Sequence, residues 1–218
     1  MLSRTRVKIC GITRQEDAFA AINAGADAIG LVFYGPSPRS LSVEQAALIA
    51  EAVPPFVTIV GLFVDPDEAL VSNVLKHVRI DLLQFHGLES RQTCEQFSRP
   101  YIKAIRIKPE DDLESTFAKY PTAEGFLLDT YRPGIPGGTG ETFDWSLFPK
   151  QSNKPLILAG GLSPDNIVSA IETTRPFAVD VSGGVESAKR IKSTELINQF
   201  IAGVNRVDTE RSVTSTAR

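Results

Sequence analysis

Two residues of this chain have the chemistry to move protons on a substrate. Cys10 closes the apolar run Val7-Lys8-Ile9-Cys10 and is followed by Gly11. Asp129 closes Phe126-Leu127-Leu128-Asp129. A thiol serves as a base only once it is a thiolate. A carboxyl serves as an acid near neutral pH only while it holds its proton. Each residue also has a plainer reading, Cys10 as a small buried hydrophobe and Asp129 as a cap for the loop that follows. The chain has only two cysteines, so it carries neither a disulfide framework nor a Cys-rich metal site. Cys94 falls in a helical stretch and reads as a packed side chain.

A second set of residues suits anion binding. Gly160-Gly161 and Gly183-Gly184 each follow an apolar run late in the chain. A glycine pair there is commonly a tight turn. Two such pairs in successive loops point instead to backbone N–H groups cradling a phosphate. Arg39 stands in Tyr34-Gly35-Pro36-Ser37-Pro38-Arg39, a proline-bound loop that could aim a guanidinium at a carboxylate or phosphate. Taken alone, that segment favours a surface arginine. Asp180, in Val179-Asp180-Val181, reads as a site carboxylate or as a partner for neighbouring loops. His86 follows Leu83-Gln84-Phe85 at another strand end, and His77 sits late in a helix, where it suits the dipole. With two histidines and no paired His or Cys spacing, no metal is expected. Nucleotide-binding and nucleophile-elbow fingerprints are absent, and no cofactor is expected.

The elements that must position these groups alternate along the chain. Apolar runs at 7–10, 28–33, 58–64, 82–85, 102–107, 125–129, 155–159 and 178–181 read as short strands buried on both faces. Helical stretches follow most of them. Thr13 with Glu16 has capping-box spacing, as does Ser42 with Gln45. Asp65-Pro66 and Ser163-Pro164 offer a cap and a first-turn proline, and Ser193 or Thr194 starts a last helix to about residue 204. The fifth and sixth connections are irregular: 109–119 makes a poor helix, and 134–142 is too glycine-rich for one, with a short turn near 144–148. Eight strand–connection units fit an α/β fold, a single (β/α)8 TIM barrel over 1–205, with 206–218 as a polar, flexible tail. An open doubly wound sheet uses the same units. The barrel is preferred because the chemical groups gather at the C-terminal ends of several strands.

Composition narrows the partners. The 42% hydrophobic content suits one folded globular core, and the net charge of −3 comes without a dense Lys/Arg block. Neither nucleic acid nor a membrane is expected as partner, since no apolar run approaches a span of about 20 residues. A small molecule is. Few cysteines and no export signal suggest the cytoplasm. The assembly is a monomer or a homodimer.

Several segments, in order, resemble the phosphoribosylanthranilate isomerase family of tryptophan biosynthesis. They are Lys8-Ile9-Cys10-Gly11-Ile12-Thr13, Gly30-Leu31-Val32-Phe33-Tyr34 through Arg39, Gly61-Leu62-Phe63-Val64 and Leu83-Gln84-Phe85-His86-Gly87. Leu128-Asp129-Thr130 with Gly137-Gly138-Thr139-Gly140, Leu158-Ala159-Gly160-Gly161-Leu162 and Asp180-Val181-Ser182-Gly183-Gly184-Val185-Glu186 complete the set. The resemblance runs from about Val7 to about Asn205. It implies a cofactor-free Amadori rearrangement of an aminoaldose phosphate. Asp129 matches the general acid, Cys10 the general base, Arg39 the residue near the anthranilate carboxylate and Asp180 a contact to sugar hydroxyls. Gly160, Gly161, Gly183 and Gly184 match the phosphate loops. Lys8 is expected on the opposite strand face from Cys10 and is not taken as its partner. Rival readings are another phosphosugar barrel enzyme, a silent phosphate-ligand binder, and a redox thiol at Cys10.

Overall fold

The computed structural model describes residues 4–108, 110–130 and 145–216. The expectation for 134–142 lies outside them. Eight parallel strands, β1 (Arg6–Cys10), β2 (Ala28–Val32), β3 (Thr58–Phe63), β4 (Leu82–Phe85), β5 (Tyr101–Ile107), β6 (Gly125–Thr130), β7 (Leu156–Leu158) and β8 (Ala178–Val181), close in sequence order into a barrel. The closing seam pairs β8 with β1, Lys8 standing opposite Asp180. That seam excludes the open sheet.

The outer ring is α1 (Gln15–Ala24), α2 (Val43–Ala52), α3 (Glu68–His77), α4 (Arg91–Glu95), α5 (Leu113–Ala118), α6 (Ile167–Thr174) and α7 (Thr194–Thr216). Side chains alternate across each strand. On β1, Val7 and Ile9 join the large core between strands and helices. Cys10 belongs to a small inner cluster with Val32 and Leu62. A further inner layer stacks Ile102, Ala104, Leu127, Ile157, Ala159 and Ala178. Such layers fill the barrel, leaving only its ends for chemistry.

Local starts hold in part. Ser42 forms the full capping box with Gln45. Thr13 does not cap α1; its hydroxyl donates to the Arg190 carbonyl instead. Asp67 rather than Asp65 caps α3, while the Asp65 carboxylate accepts from Leu88 N–H. α6 starts at Ile167, and Asn166 folds back to accept from Ser163 N–H. In the fifth connection a short helix does form, capped by Asp112. A 3-10 turn at Trp145–Leu147 occupies the place of the expected turn in the sixth.

Two features depart from the sequence reading. A small antiparallel hairpin, β9 (Glu186–Ala188) and β10 (Ile191–Lys192), follows β8. Its strands are too short for a period to register. The last helix does not stop near residue 204 but continues to Thr216. Val207 is buried, Asp208 accepts from Thr5 N–H at 2.6 Å and its hydroxyl at 3.0 Å, and Arg211 donates to the Ile171 carbonyl. Asp208 and Arg211 thus tie the helix beyond residue 204 to Thr5 and α6.

Candidate active site

β1 delivers Cys10 to the C-terminal end of the barrel, and the next residue makes room for the site. Gly11 has φ +73°, and a Cβ there would lie 2.3 Å from Cδ of Arg39 and 3.0 Å from the Ser182 hydroxyl. The β1 loop is therefore glycine so that the Arg39 stem can cross it. Arg39 Nε and Nη2 each donate to Glu186 at 2.6 Å, a bidentate pair. Glu186 also accepts from Lys192 Nζ at 3.0 Å, and that ammonium donates to the Ser182 carbonyl. The hairpin thus carries a cation–anion pair into the mouth beside Cys10.

Below this group lies a second pair. Lys8 Nζ donates to Asp180 Oδ1 at 2.8 Å, with both side chains nearly sealed from solvent. This corrects the expectation that Lys8 faces away from Cys10. Residues two apart in a strand share a face, so Lys8 and Cys10 both point into the barrel. A Cβ on Gly30 of β2 would lie 2.8 Å from Cys10 Sγ and 3.1 Å from Lys8 Nζ.

Charges set the states of these groups. Burial pushes the Cys10 thiol above its usual value, Lys8 pulls it back, Asp180 pushes it up again and Lys192 pulls it down. Burial works against the Lys8 ammonium, but Asp180 and Cys10 outweigh it and keep Lys8 charged. For Lys192 burial prevails over Glu186 and leaves it below the ordinary lysine value. Glu186 is the reverse: burial raises it, but Arg39 and Lys192 hold it below the usual carboxylate range.

Asp129 comes from β6, which two strands on one side and four on the other separate from β1. Acid and thiol therefore stand on different sides of the mouth. Asp129 Oδ2 lies 3.2 Å from His86 Nε2, and His86 Nδ1 lies 2.9 Å from the Gln84 amide nitrogen. His86 thus links the Gln84 amide to the Asp129 carboxyl. The His86 loop is itself braced. Glu89 accepts from the N–H groups of Asp65 and Gly87 and pairs with Lys103 at 3.1 Å, both side chains fully buried.

The two glycine loops abut. Gly160 and Gly161 take φ +87° and +64°, a region that favours glycine. Gly184 passes so close that a Cβ would meet the Leu162 carbonyl oxygen at 1.9 Å, and a Cβ on Gly183 would lie 3.4 Å from Arg39 Nη2. Among the described residues, no cluster of three or more His, Cys, Asp or Glu could hold a metal. Both cysteines are free thiols, Cys94 in the outer core and Cys10 in the inner cluster.

The model of the N-(5'-phosphoribosyl)anthranilate (PRA) isomerase family matches residues 7–203. The chain belongs to that family. An N-(5'-phosphoribosyl)anthranilate isomerase of Pseudomonas fluorescens is 59% identical over 201 residues, covering 92% of this chain and 96% of that protein. The one from Cellvibrio japonicus is 58% identical over 195 residues, 89% and 91% of the two chains. Among solved structures, phosphoribosylanthranilate isomerase of Thermotoga maritima superposes with TM-score 0.85 at 41% identity, covering 93% of this chain and 99% of that one. Another, solved with reduced 1-(o-carboxyphenylamino)-1-deoxyribulose 5-phosphate, gives TM-score 0.82 at 39% identity, covering 93% and 99%.

In this isomerase the sequence-predicted residues Cys10, Arg39, Asp180 and Gly183 converge, with Gly184 packed on the loop of Gly160 and Gly161, and Asp129 reaches the mouth from β6. Sequence reasoning passed over four others. Lys8 was legible from strand alternation alone. His86 was visible as a strand-end residue, but its partner was not. Glu186 lies inside a recognised motif without an assigned role, and Lys192 carries no local signal.

Proposed function

We propose that Cys10 and Asp129 carry out the reaction of a phosphoribosylanthranilate isomerase, converting N-(5-phosphoribosyl)anthranilate to 1-(2-carboxyphenylamino)-1-deoxyribulose 5-phosphate in tryptophan biosynthesis. Asp129 gives its proton to the ribose ring oxygen. The C1–O bond breaks as the anilino nitrogen lone pair forms the C1=N bond of a Schiff base. The cationic C1=N acidifies C2–H, and the Cys10 thiolate removes that proton. The C2–H electron pair becomes C1=C2, and the C1=N pair returns to nitrogen. The enolamine then tautomerises, its C2 hydroxyl losing a proton as C1 gains one, to the ketone.

The observation that supports this division is the placement of one thiol and one carboxyl at the ends of β1 and β6, with Lys8, Lys192 and Arg39 gathered round the thiol. Arg39 uses two of its five donors on Glu186, and the rest suit the anthranilate carboxylate. Asp180 is assigned to the sugar hydroxyls through the oxygen that does not face Lys8. The loops of Gly160, Gly161, Gly183 and Gly184 take the phosphate on backbone N–H groups. No described helix is long and apolar enough to cross a membrane, and we place the activity in the cytoplasm. The assembly we propose is a monomer or a homodimer. A Thermotoga maritima relative is dimeric, and monomers generated from it have been solved.

The test is turnover of freshly made substrate by the parent chain, Cys10→Ala and Asp129→Asn. Each variant should lose about 100-fold or more in kcat, the usual worth of a placed acid or base. Near-parent kcat in either variant removes that residue from the mechanism. No turnover by the parent would favour the silent binder.

A further inference from the structure

The barrel buries an ammonium among its inner side chains. Lys8 lies among the inner side chains with its charge cancelled by Asp180. A buried ion pair is weak support for stability, because desolvating both charges offsets much of their attraction, and apolar residues of similar volume often serve as well. The pair therefore asks for a task, and its position supplies one. We propose that the Lys8 ammonium is the counter-ion of the Cys10 thiolate, a positioning residue held for that role by Asp180 across the β1–β8 seam. The proposal rests on the reading of Cys10 as the base.

Three observations carry it. Lys8 and Cys10 share the inner face of β1, and Lys8 stands in register with Asp180. Nζ and Sγ turn to the same spot on β2, where Gly30 has no side chain and any Cβ would clash with both. The groups facing Cys10 are Lys8 from its own strand, Asp180 from β8, Lys192 from β10 and Arg39 from the loop after β2, with Glu186 of β9 between the last two. These are three cations against two carboxylates, so a thiolate completes a neutral set. Arg39 and Lys192 are shared by Glu186, and Lys8 is the cation on the base's own strand face. Of the influences opposing burial at the thiol, that of Lys8 is the largest.

The proposal makes two substitutions act in opposite directions, which a packing role would not do. The readout is the pH dependence of Cys10 alkylation by iodoacetamide in the unliganded chain, resolved by peptide mass spectrometry so that Cys94 is counted apart. Lys8→Met should move the Cys10 profile to higher pH by roughly one to three units, the usual effect of losing a neighbouring opposite charge. Asp180→Asn should move it to lower pH, since the anion is gone and Lys8 is released toward the sulfur. Lys8→Arg should stay near the parent. Should Lys8→Met not fold, Lys8→Met/Asp180→Asn removes both buried charges, and its profile should lie above that of Asp180→Asn. Shifts in one common direction, or coincident profiles, overturn the proposal. Alkylation needs no turnover, so the two readings fail separately. An active Cys10→Ala variant sinks the base, whereas an unmoved profile beside an inactive Cys10→Ala sinks only Lys8.

Discussion

Gly184→Ala tests whether the two late loops act as one phosphate cradle. The added Cβ would lie 1.9 Å from the Leu162 carbonyl oxygen, 2.9 Å from its carbon and 3.1 Å from Ser163 Cα. All three are backbone atoms and cannot swing aside. A carbon–oxygen contact closes at about 3.3 Å, so the loops after β7 and β8 must part by about 1.4 Å. Overpacking of this kind costs about 1–3 kcal/mol. For a chain of this size that lowers Tm by about 2–12 °C. Displacing a binding group by about 1 Å can cost about 100-fold. Neither Cys10 nor Asp129 stands on a loop that must move, so the loss should fall on phosphate binding. We expect KM to rise at least about tenfold, about 1.4 kcal/mol, while kcat changes less. Gly35→Ala is the control, because a Cβ there meets nothing within 4 Å. Steady-state turnover over a range of substrate concentrations, with thermal melts of the same samples, decides the matter. A Gly184→Ala variant with KM and Tm like those of Gly35→Ala would refute the contact and the shared cradle together.

Three further outcomes follow from buried charges and backbone strain. Glu186 is held below the usual carboxylate range, so its ionised form contributes stability above that range and loses it as pH falls through the lowered value. The Tm difference between parent and Glu186→Gln should accordingly shrink in acid melts, and a gap that widens there would contradict the assignment. Glu89→Gln leaves the Lys103 ammonium buried without its carboxylate, but three carbonyls still accept from it. The expected cost is about 3 kcal/mol by urea unfolding, the low end for a broken buried pair; less than about 1 kcal/mol would mean the pair does not brace the His86 loop. Phe56 is fully exposed (104%) at φ +72°. Phe56→Gly relieves the left-handed strain with no packing to lose, and should raise stability by up to about 1 kcal/mol; a lower Tm would show that the ring is covered in solution.

Much of the fold was legible because buried parallel strands announce themselves as short apolar runs. All eight lie within a residue or two of where the pattern puts them. Helix starts were less secure. Thr13 and Asp65 have the right chemistry for caps, yet Arg190 and Leu88 N–H claim them across the fold. A local signal cannot register a competitor that is distant in sequence. The hairpin of β9 and β10 was invisible for another reason, since strands of three and two residues carry no period.

The sequence by itself determined which residues could carry proton chemistry and where they stand on their strands. Cys10 at the end of one apolar run, Asp129 at the end of another and two late glycine pairs needed no coordinates. Strand alternation even contained the shared face of Lys8 and Cys10, although adjacency misled the reading. Tertiary structure decided which charges surround the thiol. Closing the barrel set Asp180 opposite Lys8 at 172 residues' separation, and the hairpin brought Glu186 and Lys192 to Arg39. Proton affinity depends on burial and on charges a few ångströms away. Those distances exist only once β8 has found β1.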